Sequence, residues 1–76
     1  MEVIMSPYAN LRGNSPIIGY KIEPTRIYVM FKGDKTYSYS YASAGAYNVE
    51  QMKNLALNGA GLSAYITRNA RFNYER

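Results

Sequence analysis

The sequence predicts a small α+β domain, an antiparallel sheet of three to four strands with two helices packed on one face. The first observation is that apolar and polar side chains alternate with a period of two between residues 16 and 41. The second is that the period changes to that of a helix after residue 48. A chain of 76 residues has room for one hydrophobic core, so the strands and helices share it.

Residues 1–14 are predicted to form an N-terminal arm or edge strand, and residues 15–76 a single domain. The arm carries the short apolar patch Val3-Ile4-Met5, and glycine, asparagine, serine and proline at residues 13–16 mark a loop. The start of the chain lacks the basic residues of a secretory signal, and no apolar run approaches the ~20 residues of a membrane span. We therefore expect no membrane contact and a cytoplasmic location, which is the host cytoplasm if the protein is phage-encoded.

Three strands are predicted in order. The segment PIIGYKI (16–22) fits a strand, with Gly19 at the place of a bulge. Pro24 presets the backbone of a turn over residues 23–25. The segment RIYVMF (26–31) is the clearest strand, and TYSYSY (36–41) follows after a short connection.

The pair Gly33-Asp34 predicts a two-residue type II′ hairpin, because this turn takes glycine at its first central position. Residue 30 then lies opposite 37, and residue 28 opposite 39. One face of the sheet carries the tyrosines and the other carries Ile27, Val29 and Phe31 beside small serines, which favours the aliphatic face as the seat of the helices. A three-residue loop is the alternative, and it would turn the tyrosines into the core.

The two helices are predicted from their ends. Asn48 is a good N-cap, with Gln51 three residues later in a capping-box arrangement. Asn58-Gly59 ends this first helix. A second, shorter helix is predicted over residues 62–70, with Leu62 and Ile66 facing inward.

The composition favours a protein that is not an enzyme. The chain has no cysteine and no histidine, which removes thiolate metal sites, the commonest metal ligand and the usual acid–base group of neutral pH. Its five carboxylates fall at termini, in turns or in the first turn of a predicted helix, with no pair placed for general acid–base work. The serines lack a histidine partner for a triad. We expect no catalytic residue, no metal and no cofactor.

The charge is modestly basic, with nine Lys and Arg against five Asp and Glu, a net charge of +4 and a pI near 9.5. Arg68 and Arg71 lie three apart on the second predicted helix. Two interpretations stay open for them, a solvated helix face or a basic patch that contacts phosphate or an acidic partner. The loop NGAGLS (58–63) could hold a phosphate at a helix N-terminus, but it lacks a P-loop lysine, and a helix C-cap at Gly59 is favoured.

Tyrosine dominates the aromatic residues, with nine tyrosines against two phenylalanines. Tyrosine offers a large contact area at low entropic cost, which suits interfaces and base stacking, although it is also a good strand former. A tyrosine face beside Met30 is too large an aromatic patch to stay bare, so we predict an interface there. The predicted partner-binding residues are Arg26, Tyr28, Met30, Tyr37, Tyr39, Tyr41, Arg68 and Arg71.

Several short motifs resemble the KTSC domain, a small domain also found at the C-terminus of some lysyl-tRNA synthetases and as a free-standing protein in bacteria and phages. They are Ser15-Pro16-Ile17, Gly19-Tyr20, Ile27-x-Val29-x-Phe31-x-Gly33, Tyr37-x-Tyr39, and Gly61-x-x-x-x-Ile66 leading to Tyr74. The stretch NLALNGAGLSAYI departs from the family's usual small-residue segment. The resemblance implies a compact α+β binding module with no established catalytic residues.

Three classes of function remain. The favoured one is a protein-binding inhibitor or adaptor, of the kind that small phage proteins direct against host defence. The second is a nucleic-acid or nucleotide binder, including a sponge for a signalling nucleotide, in which Arg26, Arg68 and Arg71 contact phosphate and tyrosines stack on bases. The third is a self-assembling structural protein. The unprotected TYSYSY edge also predicts a homodimer.

Overall fold

The structure, a computed structural model, describes residues 5–75 and confirms the α+β class. A four-stranded antiparallel sheet has the strand order β1-β2-β3-β4. Three helices follow it in the chain. The strands are β1 (Ser6–Pro7), β2 (Ile17–Glu23), β3 (Arg26–Phe31) and β4 (Lys35–Ser40), and the helices are α1 (Tyr41–Ala44), α2 (Ala46–Asn58) and α3 (Leu62–Asn69).

The N-terminal arm runs from the sheet edge to the corner between α2 and α3. Strand β1 pairs with β2, and beyond it the buried Tyr8 accepts a hydrogen bond on its hydroxyl from the Leu62 N–H at 3.4 Å. The Leu11 N–H donates to the carbonyl of Gly59 at 2.8 Å. Val3 and Ile4 of the predicted apolar patch lie outside the described residues.

The predicted bulge at Gly19 is confirmed, since the β2–β3 register shifts between Ile17 and Gly19. A Cβ atom at residue 19 would lie 3.2 Å from the carbonyl oxygen of Ser6. Glycine therefore allows β1 to approach this strand closely.

The predicted β3–β4 register is wrong, because the connection has three residues (32–34) instead of two. Phe31 lies opposite Lys35, Val29 opposite Tyr37 and Ile27 opposite Tyr39. A shift of one residue moves every side chain of a strand to the other face. Tyr37 and Tyr39 therefore share the core face with Ile27 and Val29, and Tyr39 is only 2% exposed.

Burial of the two aromatic rings gives the physical reason for this register. Full burial of one large apolar side chain is worth about 1.5–3 kcal/mol, whereas the serines of β4 have little apolar area to bury. Both Gly33 and Asp34 adopt positive φ, +85° and +59°, which glycine and aspartate tolerate at small cost. The local preference for a two-residue turn is thus outweighed by packing.

The tyrosine at residue 41 is not in the sheet, which corrects its predicted position at the end of a strand. Ser40 ends β4 and caps α1, since the Ser43 N–H donates to the Ser40 hydroxyl at 3.1 Å and the Ser40 N–H donates to the Ser43 hydroxyl at 3.0 Å. This reciprocal capping box starts a helix directly after the strand. Tyr41 then donates its hydroxyl to Glu50 of α2 at 2.7 Å.

The helix ends were predicted with mixed success. Helix α2 begins after Gly45, so Asn48 is not its N-cap; the Asn48 side chain lies in the first turn and donates to the Ala44 carbonyl. The C-cap at Gly59 is confirmed, with left-handed backbone at φ +79°. Helix α3 begins at Leu62, as predicted, and ends one residue before Ala70.

One hydrophobic core joins the core face of the sheet to the helices. Ile27 and Val29 are fully buried against Met52 of α2 and Leu62 of α3 within a single cluster. The opposite, open face of the sheet carries Arg26, Tyr28 and Met30, which are half-buried.

The register makes a direct prediction for stability. Replacing the buried ring in Tyr39→Ala is expected to lower the free energy of unfolding by about 3–5 kcal/mol, because it leaves a cavity in the core. Tyr47→Ala is the control, since Tyr47 is 74% exposed, and is expected to change stability by less than about 1 kcal/mol. Urea unfolding measures both. Equal, small losses in the two variants would contradict the three-residue loop.

Candidate functional site

An aromatic cluster forms where the β3–β4 hairpin meets the segment that follows α3. The Tyr37 ring lies edge-on to Phe31, with ring centroids 5.7 Å apart and planes at 77°. On its other side Tyr74 packs against Tyr37 at 4.8 Å. The hairpin register presents the first two rings, and the returning chain supplies the third. The three elements therefore build the cluster together.

A groove of about 280 Å³ lies between this cluster and α3. Its floor comes from β3 and β4, one wall from α3, and the other wall from residues 71–75, which we call the strap. The residues that line the groove are Phe31, Tyr37, Tyr39, Ile66, Thr67, Arg71, Phe72 and Tyr74. Five of these eight residues are aromatic, so the lining consists largely of ring faces and edges.

The polar side-chain groups of the groove are three tyrosine hydroxyls, the Thr67 hydroxyl and the Arg71 guanidinium. Burial raises the pKa of Tyr39 to about 12, and the neighbouring Tyr37 and Tyr74 add to the shift. The hydroxyl of Tyr39 therefore stays protonated at neutral pH. Arg71 brings its guanidinium 5.3 Å from the centre of the Phe72 ring, and no carboxylate occurs among the described residues that line the groove. A ligand that carries a flat ring beside a negative charge would fit this lining, with its ring against the aromatic side chains and its charge near Arg71.

The strap straddles the outer edge of β4. The Glu75 N–H donates to the Ser38 carbonyl at 2.7 Å, which continues the sheet by one backbone bond. Tyr74 lies on the core face, against Tyr37, while the Glu75 side chain lies on the open face. The side chains of two consecutive residues therefore lie on opposite faces of β4.

The Glu75 carboxylate is held by three hydrogen bonds. Arg26 donates from Nε at 2.7 Å and from Nη2 at 3.1 Å, and the Ser38 hydroxyl donates at 2.8 Å. These donors, with Arg26 first, hold the pKa of Glu75 below its usual value. We call Arg26, Ser38 and Glu75 the clasp.

The open face carries alternating charges in place of the predicted aromatic patch. Lys21 lies 3.5 Å from Glu23, Glu23 lies 3.6 Å from Arg26, and Arg26 continues the chain to Glu75. Arg26 therefore has carboxylates on both sides. The predicted role of Arg26 as a phosphate contact loses its basis, because the positive charge is already paired.

The predicted partner-binding residues do not form one surface. Tyr37, Tyr39 and Arg71 meet in the groove, although Tyr39 is buried in its floor. Tyr28 and Met30 are half-buried on the open face, and Tyr41 lies on α1. Arg68 is exposed on α3 and does not line the groove.

Sequence reasoning missed the strap and the part of α3 that completes the groove. Phe72 and Tyr74 follow a predicted helix end, and their spacing in RFNYE resembles that of a short extended segment. That pattern was the available signal. It shows that the segment is apolar on alternate residues, but not which edge of the sheet it meets.

A second cavity of about 280 Å³ lies at the start of α3 and is lined in part by Arg12, Asn14 and Ser63. It corresponds to the NGAGLS loop that was considered for phosphate. One backbone amide there, that of Leu62, is already bonded to the Tyr8 hydroxyl. Arg68 and Arg71, which were expected nearby, do not line this cavity.

Two features are absent from residues 5–75. These residues contain no cluster of three or more His, Cys, Asp or Glu side chains that could hold a metal ion. Nor do the helices in this part of the chain include one that is long and apolar enough to cross a membrane.

Comparison of the chain with protein-family models, curated proteins and solved structures found no match. The resemblance to the KTSC domain therefore stays a prediction.

The raised pKa of Tyr39 predicts a loss of stability in alkali. In the unfolded chain this phenol ionises near its ordinary pKa of about 10, whereas in the folded protein it keeps its proton until about pH 12. Its contribution to stability is complete below pH 10 and is lost as the pH rises to 12. At pH 11.5 the loss is expected to reach about 2 kcal/mol relative to pH 9.

Tyr39→Phe removes the ionisable group while keeping the ring, so this part of the alkaline loss is expected to disappear. Urea unfolding at the two pH values measures it, with Tyr47→Phe as the exposed control. An equal alkaline loss in wild type and Tyr39→Phe would show that the hydroxyl of Tyr39 is not shielded in the folded state.

Proposed function

We propose that the protein is a non-enzymatic binding module, an inhibitor or adaptor in the cytoplasm that captures a partner protein through the aromatic groove. The observation that carries the proposal is the lining of the groove, which combines five aromatic residues with a single arginine. The partner contributes an aromatic side chain as the anchor and an acidic residue beside it.

The size of the groove supports an anchor of one ring. Pockets for complete small-molecule ligands usually measure about 300–1,000 Å³, whereas this groove has about 280 Å³. Tryptophan and tyrosine are the side chains that most often act as hot spots when they enter such depressions in protein interfaces. The groove therefore fits an aromatic hot spot of a protein better than a large cofactor.

The charges support an acidic neighbour to that anchor. Arg71 lies over Phe72, which is 62% exposed, so its guanidinium stands at the rim of the groove. A carboxylate of the partner would meet Arg71 in a charge-assisted hydrogen bond. The net charge of +4 adds a weak attraction for acidic proteins at a distance.

The nucleic-acid alternative loses the arrangement on which it depended. A binder of single strands stacks successive bases on neighbouring rings along a basic track. Tyr28 and Tyr37 lie on opposite faces of the sheet, Tyr39 is buried, and Arg26 is paired with Glu75. A single nucleotide, with its base in the groove and its phosphate on Arg71, remains the competing ligand.

The proposed homodimer also loses part of its basis. It was inferred from an uncovered β4 edge, and the strap now pairs with that edge at Ser38. Covering an edge strand in this way reduces its tendency to pair with other chains. A partner other than a second copy is therefore favoured.

Capped pentapeptides with a central tryptophan between glutamates test the proposal in an NMR titration. The acidic peptide is expected to shift the resonances of Tyr37, Ile66 and Tyr74, and Arg71→Ala is expected to weaken its binding about tenfold by removing a charged contact. Arg68→Ala is the matched control, because this exposed arginine lies outside the groove, and should bind like wild type.

Parallel titrations use the same peptide with alanine in the centre, the peptide with lysine flanks, and adenosine and uridine monophosphates. Weaker binding of both altered peptides supports an aromatic anchor with acidic neighbours. Absence of groove shifts with the acidic peptide would contradict the proposal. Tighter binding of a nucleotide that is lost in Arg71→Ala would replace the protein partner by a nucleotide.

A further inference from the structure

We infer that the clasp of Arg26, Ser38 and Glu75 positions one wall of the groove from the opposite side of the sheet. The inference rests on the proposed function for its effect on binding, but not for its structural part. It gives Arg26 a role different from the predicted contact with a partner. Arg26 acts through Glu75 and touches no ligand.

The connection between the clasp and the groove is one peptide unit long. Glu75 is fixed on the open face by Arg26 and Ser38, and the preceding residue, Tyr74, forms the groove wall on the core face. The backbone bond from the Glu75 N–H to the Ser38 carbonyl holds the strap at the edge between these two faces. The position of Glu75 therefore limits where the Tyr74 ring can lie relative to Tyr37.

The start of the strap is fixed separately. The Asn73 N–H donates to the Ala70 carbonyl at 3.0 Å, which holds a turn after α3. Ala70 itself is buried in the core. Between this turn and the clasp the strap lines the groove, so it is attached at both ends and its far attachment is the clasp.

The far attachment depends in part on a partly exposed ion pair. The side chains of Arg26 and Glu75 remain about a third exposed, at 36% and 32%, and water competes for such an ion pair. Elements held by exposed contacts open locally without unfolding of the core. Opening at the clasp would carry Tyr74 away from Tyr37, remove one wall of the groove and uncover the β4 edge at Ser38.

The structural part is tested without any ligand, by hydrogen exchange. In Glu75→Gln the charge is lost at nearly constant size, and exchange of the backbone amide of residue 75, bonded to Ser38, is expected to accelerate about five- to tenfold. Exchange of the amides of Ile27 and Val29 in the sheet centre should stay unchanged. An unchanged rate at residue 75 would overturn the inference.

Two further variants separate the clasp from general effects of charge. Lys21→Gln removes the other end of the same charge chain, which contacts Glu23 and not the strap, and should leave exchange at residue 75 as in wild type. The reversed pair, Arg26→Glu with Glu75→Arg, is made together with Glu23→Gln, because Glu23 would repel a glutamate at residue 26, and should recover slow exchange. If exchange at residue 75 were as rapid in Lys21→Gln as in Glu75→Gln, the charges of the whole open face would control the strap. That result would overturn the role inferred for the clasp.

The functional part is tested with the acidic tryptophan pentapeptide. Glu75→Gln is expected to weaken peptide binding about threefold to tenfold, with recovery in the reversed pair and no change in Lys21→Gln. Faster exchange with unchanged peptide affinity would overturn the positioning role while leaving the proposed function intact. If wild type bound no peptide, the proposed function would fail, and exchange at residue 75 would still decide the structural part.

Discussion

The pairing of β3 with β4 through a three-residue loop is the constraint on which the rest of the structure depends. It places Ile27 opposite Tyr39 and Val29 opposite Tyr37, so the rings of β4 face the helices. Because side chains alternate along a strand, a shift of one residue would exchange both faces together. The aromatic floor of the groove and the polar open face are therefore two consequences of one register.

The same register also decides how the edge of the sheet is protected. It brings Ser38 to the open face beside Arg26, where the Glu75 carboxylate can reach both side chains. The strap then meets β4 at Ser38, while at the opposite edge β1 is only two residues long and includes Pro7, which has no N–H to donate. Both edges are thus poor templates for further strand pairing.

A domain of this size has few residues to spare for a separate binding site. The groove reuses rings that also complete the core, since Tyr39 is buried and Tyr37 and Tyr74 pack against the core cluster. Sharing side chains between core and groove gives the floor a rigid position, because the packing that stabilises the fold also fixes the rings. The strap wall has that support at Tyr74, and its end is also held by an ion pair that is about a third exposed.

The sequence by itself determined the α+β class, the extent of β2 and β3, the bulge at Gly19 and the left-handed C-cap at Gly59. These features depend on the alternation of apolar and polar side chains, on turn residues and on the backbone freedom of glycine. Each of these signals is contained within a few consecutive residues. Tyr37, Tyr39 and Arg71, which line the groove, were among the residues predicted from the sequence to bind a partner. The other partner-binding residues were predicted on the assumption that the tyrosines of β4 lie on the open face. The β3–β4 register places Tyr37 and Tyr39 on the core face instead.

Only the tertiary structure decided the length of the β3–β4 loop, the face of the sheet on which the tyrosines of β4 lie, and the path of the strap. Gly33-Asp34 is compatible with two loops that differ by one residue, and the choice between them depends on what covers the rings of β4. The cover includes Tyr74, which is far from Tyr37 in sequence and 4.8 Å from it between ring centroids. Burial energy between such distant residues outweighs a local turn preference, and a local pattern does not contain it.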